Sequence, residues 1–236
     1  MKTFISLTLL FILLFTPSLQ AEYTKTRLII MADMGNEADE EQQMMHLLMY
    51  SNMVDLEGLL AVSGIFLRVG APSYRDHVQP DLLKKLVDGY AKVFDNLKKH
   101  DTDWPEPDYL YSIIKGGTNE YGIDAVGDGN STDASELIEA ALLKNDPRPL
   151  YFVGNAGTNS LAQALHDLGK TRTQSEMDAI TKKIIVFENG AQDNCGAVMV
   201  RKYPSIAWFR SCWQTYSYGG PGNGNSVEGP NTWLPL

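Results

Sequence analysis

What most constrains this chain is a regular exchange of short apolar, β-rich runs for amphipathic helical ones along most of its 236 residues. Arg27 to Ala32, "RLIIMA", is apolar without alternation, the pattern of a strand buried on both faces. From about Ala38 the period changes, and Met44, Met45, Leu47, Leu48 and Met49 recur at helical spacing up to Ser51 and Asn52. Val54 to Ser63, "VDLEGLLAVS", reads as the next strand. Strand, helix and strand with short links make a βαβ unit, so these two strands are expected to lie side by side and parallel.

The alternation continues. "QPDLLKKLVDGYAKVFDNLKKH" predicts an amphipathic helix starting near Pro80, with Asp81 in its first turn and basic residues in its last. Ahead of it, "GIFLRVGAPSYRDHV" is a long loop, and after it "DTDWPEPDY" is a turn-rich connector. Then follow a helix, "DASELIEAALLKN", a strand, "PLYFVGN", a helix closed by Gly169, "TNSLAQALHDLG", and a strand, "KKIIVFEN". The pattern predicts an α/β domain, a mostly parallel central sheet with helices on both faces. The last stretch, "YSYGGPGNGNSVEGPNTWLPL", is rich in turn formers and reads as loop.

Lys2, the apolar run Phe4 to Phe15 and a small residue at Ala21 have the form of a signal peptide over residues 1–21, and the run is short for a membrane span. The expectation is therefore a secreted or periplasmic protein with one domain over residues 22–236. A net charge of -9 argues against the basic stripe that nucleic acid or anionic lipid would require. It suits an uncharged ligand such as a sugar, or a bound cation. Cys195 and Cys212 are either one bridge or two buried thiols, and neither belongs to a catalytic arrangement.

Acidic residues gather where the first strand ends: Asp33, Glu37, Asp39, Glu40 and Glu41, with Gly35 allowing the turn. Ligands of open α/β sheets bind at the carboxyl ends of strands, where Asp33 falls. Spacing leaves two readings open. In one, Asp39 to Glu41 are acids that offset the dipole at a helix start. In the other, the carboxylates share a hard cation, calcium or magnesium, because converging carboxylates repel and are costly to desolvate alone. His46 falls among methionines and is expected to pack rather than ligate.

"ADMGNEADEEQ" resembles the opening motif of the nucleoside hydrolase-like proteins, in their secreted, Sde182-type cellulose-binding branch. Further stretches of that branch are resembled by "YSNMVDLEGLLAVS", "VQPDLLKKLVDGYAKVFDNL", "GGTNEYGIDAVGDG", "SELIEAALLKNDPRPLYFVGNAGTNSLAQAL" and "AQDNCGAVMVRKYP", in order and spacing, over most of Arg27 to Trp213. The resemblance implies a Rossmann-like core and a Ca2+ ion at the strand end that helps a water attack the anomeric carbon of an N-glycosidic or related glycosyl bond. Asp33 matches the aspartate that binds the metal and acts as general base, and Asp39 the catalytic aspartate that contacts a sugar hydroxyl. Glu40 and the main-chain carbonyl of Thr158 match further metal donors. Asn36, Asn159, Glu188, Asn189 and Asp193 fall at sugar-contacting positions, implying a nucleoside or other sugar substrate and no nucleic-acid partner.

Bland alternatives stand beside these roles: Asn159 as a helix N-cap and Asp193 as a turn former. The chain also departs from the pattern. Met31 replaces the first aspartate of the motif, and Glu40 is one methylene longer than the aspartate it replaces, a change that either weakens metal affinity or is compensated by Glu37. The family's later His-containing and acidic segments are not matched, so the domain is expected to be short at its C-terminus and its activity open. A second expectation is a carbohydrate-binding module, with Trp104, Trp208, Trp213 and Trp233 as candidates for stacking on a polysaccharide such as cellulose.

Overall fold

The computed structural model describes residues 24–35, 38–71 and 76–211, which leaves the expected signal peptide over residues 1–21, Asn36, Glu37, Cys212, Trp213 and Trp233 outside the described residues. In chain order the elements are β1 (Thr26–Ala32), α1 (Ala38–Leu48), β2 (Val54–Ala61), α2 (Pro80–Leu97), α3 (Pro107–Ser112), β3 (Ile114–Gly116), α4 (Asp133–Leu142), β4 (Leu150–Gly154), α5 (Asn159–Thr171), α6 (Gln174–Thr181), β5 (Ile184–Asn189), α7 (Cys195–Lys202) and β6 (Ala207–Ser211). The six strands form one sheet in the order β3-β2-β1-β4-β5-β6. Every pairing is parallel.

Successive side chains of a strand point to opposite faces, so an unbroken apolar run needs cover on both. In β1, Ile29 and Met31 enter a core built with α4, α5, α6 and α7. Ile30 and Ala32 enter a second core with α1, α2 and α3. The α/β architecture expected from the alternation is the one observed, with the sheet wholly rather than mostly parallel. Helix α5 does not stop at Gly169 but runs to Thr171; Gly169 lies inside it, beneath the Tyr203 hydroxyl that donates to the Leu165 carbonyl at 3.2 Å. His46, expected to pack, is exposed on α1. Among the described residues no helix is long and apolar enough to cross a membrane.

A bulge lies between Leu28 and Ile29, where Leu28 pairs with Leu56 but Ile29 pairs with Gly58. The extra residue, Glu57, reaches Arg27, which is only 1% exposed and donates to Glu57 from Nε (2.6 Å) and Nη2 (3.0 Å). This ion pair closes the sheet at the end opposite the acidic loop.

On the far half of the sheet, Tyr151, Phe187 and Phe209 form a row across β4, β5 and β6, with ring centroids 6.3 and 5.1 Å apart and planes within 15°. Their flat faces are turned to one another. Trp104 packs beside Tyr90 in one core, and Trp208 is packed against the other. The described tryptophans therefore form no open stacking surface.

Candidate functional site

In this strand order the chain goes one way from β1 to β2 and the other way from β1 to β4, and the crevice at that switch lies beyond the carboxyl ends of β1 and β4. Asp33 follows β1 and is 1% exposed; Asn155 follows β4, and its N–H donates to the Met31 carbonyl at 2.9 Å. Gly35 then adopts φ 88°, a left-handed turn open to glycine at no steric cost, and α1 starts three residues later.

Asp39 and Glu40 stand in the first turn of α1, and Glu40 is buried beside Asp33 and Asp39. Burial first, then the negative charge of Asp33 and the neighbouring Asp39, push the Glu40 carboxyl up to about 10. No N–H or hydroxyl group of the described residues reaches Asp39 Oδ1, Glu40 Oε2 or Glu41 Oε2. Glu41, beside them in the same turn, is half-buried.

Across the crevice, the β4–α5 turn is built around Gly157. A Cβ there would lie 2.5 Å from the Ser63 carbonyl and 2.7 Å from Asp193 Oδ2, so no other residue fits without moving backbone. Asp193 holds this turn: Oδ2 accepts from Thr158 N–H at 2.7 Å, and Oδ1 accepts from the Thr158 hydroxyl at 3.1 Å and from Cys195 N–H at 2.9 Å. Burial pushes its carboxyl up against the pull of those hydrogen bonds. Cys195 itself is a buried thiol. The Thr158 carbonyl accepts Ala162 N–H at 3.1 Å as the first acceptor of α5, leaving one lone pair for another donor or a cation.

Asn159 is the first residue of α5 rather than its cap; Thr158 holds the cap position. The Asn159 amide donates to Ser63 Oγ and to the Glu120 carbonyl, both at 3.1 Å, and Ser63 Oγ donates to the same carbonyl at 2.6 Å. Capping is thus corrected to a tertiary role, tying the end of β2 to the loop after β3. Asn159 Oδ1 meets no donor among the described residues.

Glu188 is the last but one residue of β5, its side chain is at 0% exposure, and its Oε2 accepts from Trp208 Nε1 at 2.9 Å and Arg210 Nε at 2.8 Å. Neither Glu188 Oε1 nor Asn189 Oδ1 meets a donor of the described residues. The loop that follows holds Ala191 at φ 55°, a left-handed conformation that costs a non-glycine residue about 1 kcal/mol or more.

Sequence reasoning missed Gln192, Gly64 and Gln43. Gln192 donates to the Asn155 carbonyl at 2.7 Å, Asn155 donates to Gln43, and Gln192 Oε1 is buried without a donor among the described residues. Gly64 has no side chain to fill the space beside Asp33: a Cβ there would sit 3.4 Å from Asp33 Oδ2 and 3.1 Å from Gln192 Oε1. The legible signal was positional, a glycine just past the end of β2 and a glutamine beside Asp193.

These contacts yield a first prediction. Asp193→Ala strands three donors, two on the β4–α5 turn and one at the start of α7, and is expected to cost about 1–3 kcal/mol, read as a fall in melting temperature of about 2–4 °C per kcal/mol. Unchanged melting would remove the turn-holding role.

Among the described residues no three Asp, Glu, His or Cys side chains form a ready-made metal cage. The donor chemistry of the rim nevertheless suits a hard cation: buried carboxylates in mutual repulsion, and oxygen acceptors without donors.

Comparison with known proteins agrees with this fold. A family model described as "Cellulose-binding Sde182, nucleoside hydrolase-like domain" matches residues 27–229. A solved structure of a nucleoside hydrolase-related hypothetical protein from Saccharophagus degradans, associated with carbohydrate metabolism, is similar with a TM-score of 0.72 and 32% sequence identity. The similarity covers 78% of this chain and 43% of that one, so this chain spans less than half the length of its solved relative. No curated protein matches. With its parallel sheet, its switch-point crevice and a match over most of its length, the chain belongs to the Sde182 nucleoside hydrolase-like family.

Proposed function

We propose that the crevice binds a sugar-containing molecule and hydrolyses its N-glycosidic or related glycosyl bond. The observation that carries this reading is the set of buried oxygen acceptors on the rim, on Asp39, Glu40, Asn159, Glu188, Asn189 and Gln192, that meet no donor within the described residues. A buried acceptor without a partner is costly, and sugar hydroxyls or a cation are what such a rim lacks. The family's carbohydrate association favours the same ligand class.

On this reading Asp33, Glu40 and the Thr158 carbonyl hold calcium, for which their hard oxygens and the conflict of charge around Glu40 fit. Bound there, the ion supplies charge compensation and a more acidic water. Asp33 takes the proton from the attacking water, Asp39 accepts a hydrogen bond from a sugar hydroxyl, and Asn159 and Gln192 orient others through their free oxygens. Nearby carboxylates stabilise positive charge developing at the anomeric carbon. Export through residues 1–21 is part of the proposal. Release of base or aglycone from a panel of nucleosides and aryl glycosides, with calcium and with a chelator, tests it. Turnover that stops on chelation is expected, and none across the panel overturns hydrolysis.

The family description favours one further reading, polysaccharide binding without hydrolysis. Retention on insoluble cellulose by a chain with no turnover is its signature.

A further inference from the structure

A polar cleft of about 810 Å³ adjoins the crevice and plays no part in the chemistry above; Arg68, Thr118, Asn119, Glu120, Tyr121 and Asp124 line it. Its lining divides into groups that build the wall and groups that do not. Asn119 holds two loops together, its side chain accepting from Val78 N–H at 2.9 Å and its carbonyl from Val69 N–H at 3.1 Å. The Thr118 hydroxyl accepts from Glu120 N–H at 3.1 Å. The guanidinium of Arg68 instead lies 4.1 Å from the centre of the Tyr121 ring, half-buried, and no carboxylate or carbonyl of the described residues takes up its N–H groups. The Glu120 and Asp124 carboxylates and the Tyr121 hydroxyl are likewise uncommitted to hydrogen bonds in the described wall.

Such a set has a chemical meaning. Arginine stacked on an aromatic ring is held rigid, with a planar fork of donors facing outward. Beside it stand two carboxylates that only accept. A lone phosphate or carboxylate would satisfy the arginine but meet both acids, whereas a sugar hydroxyl donates and accepts at once and suits both. The volume also decides: it lies towards the upper end of the roughly 300–1,000 Å³ of small-molecule sites, before the crevice itself is counted. The backbone links the two spaces, since the Glu120 carbonyl is held by Ser63 and Asn159, and Gly64 borders Asp33.

We propose that this cleft is a subsite for a further sugar unit, with Arg68 donating to its hydroxyls, Glu120 and Asp124 accepting from them and the Arg68–Tyr121 stack as its wall. The ligand of the crevice is then a chain of linked sugars rather than a lone nucleoside. This rests on the crevice holding a sugar.

Calorimetric titration of the full chain with tetrasaccharides of glucose, xylose and mannose, and with each free monomer, tests it. At least one tetrasaccharide should bind about tenfold or more tighter than its monomer. Arg68→Ala and Tyr121→Ala, each checked for an unchanged melting temperature, should bring that gain to within about threefold of the monomer. Equal affinity for monomer and tetrasaccharide throughout, or a gain that survives both substitutions, overturns the subsite. The two readings fail separately. Nucleoside turnover with no tetrasaccharide gain removes the subsite and keeps hydrolysis; an Arg68-dependent gain in a chain that hydrolyses nothing keeps the subsite and removes hydrolysis.

Discussion

Arg27→Met is expected to destabilise the fold by about 3–5 kcal/mol, the usual cost of leaving one partner of a buried ion pair behind. The guanidinium donates to Glu57 twice and to the Ala141 carbonyl at 2.7 Å, at the closed end of the sheet. Without it Glu57 keeps only Lys144, whose ammonium lies 2.9 Å away but is half-exposed, and the Ala141 carbonyl loses its donor. The double variant Arg27→Met with Glu57→Leu should recover most of the loss, because removing both charges also removes the need to desolvate them. Urea unfolding measures both; a cost below about 1 kcal/mol for the single variant would show the pair to be of little weight.

The same pair predicts a pH dependence. Burial, the largest single influence, pushes the Glu57 carboxyl up, but the hydrogen bonds and charges of Arg27 and Lys144 together outweigh it, so the group titrates below its ordinary 4.5. A carboxyl depressed by folding stabilises the fold at pH above that ordinary value, and the contribution fades as pH falls through the lower folded value. Acid destabilisation of Glu57→Gln should therefore be shallower than that of the wild type below about pH 4.5.

Parts of the fold were legible because they rest on local patterns. The unbroken apolar run of β1 required two covered faces, and the period change after Ala38 required a helix. What was missed depends on distant partners. Strand β3 is three residues long and owes its conformation to β2, not to any pattern of its own. Helices α3, α6 and α7 are six, eight and eight residues, too short to show much periodicity, although Thr173 and Glu176 form a capping box at the start of α6 that was readable. The bulge that delivers Glu57 to Arg27 is marked in the sequence by Gly58 alone, a glycine inside an apolar strand that signals a bulge but not its partner.

The candidate site divides in the same way. Asp33 at the end of β1 was legible, because strand ends in open α/β sheets are where ligands bind. The arrangement opposite was not: Asp193 and Thr158 are joined across 35 residues, and Asn159 gives up a favoured local cap for Ser63, 96 residues away. Local preference loses when a tertiary network offers buried polar groups better partners.

If the crevice is catalytic, Asp33→Asn should reduce kcat by about 10²–10⁴-fold, the usual worth of a positioned general base. Asparagine keeps the shape of aspartate but cannot take a proton, so folding should survive while chemistry fails. Glu40→Gln makes the comparison informative. In the proposed scheme Glu40 helps hold the cation and handles no proton of the reaction, so its loss should weaken calcium binding and be partly overcome by excess calcium. Asp33→Asn should not be rescued in that way, because added cation restores charge compensation but not a base. Without calcium, Glu40→Gln should also melt close to the wild type near pH 7, since a carboxyl pushed up to about 10 holds its proton there and glutamine replaces it with a neutral group of the same shape. Kinetics and melting curves over a calcium titration separate the roles. Equal rescue of both variants would reduce Asp33 to a ligand, and full activity in Asp33→Asn would move the chemistry away from this strand end.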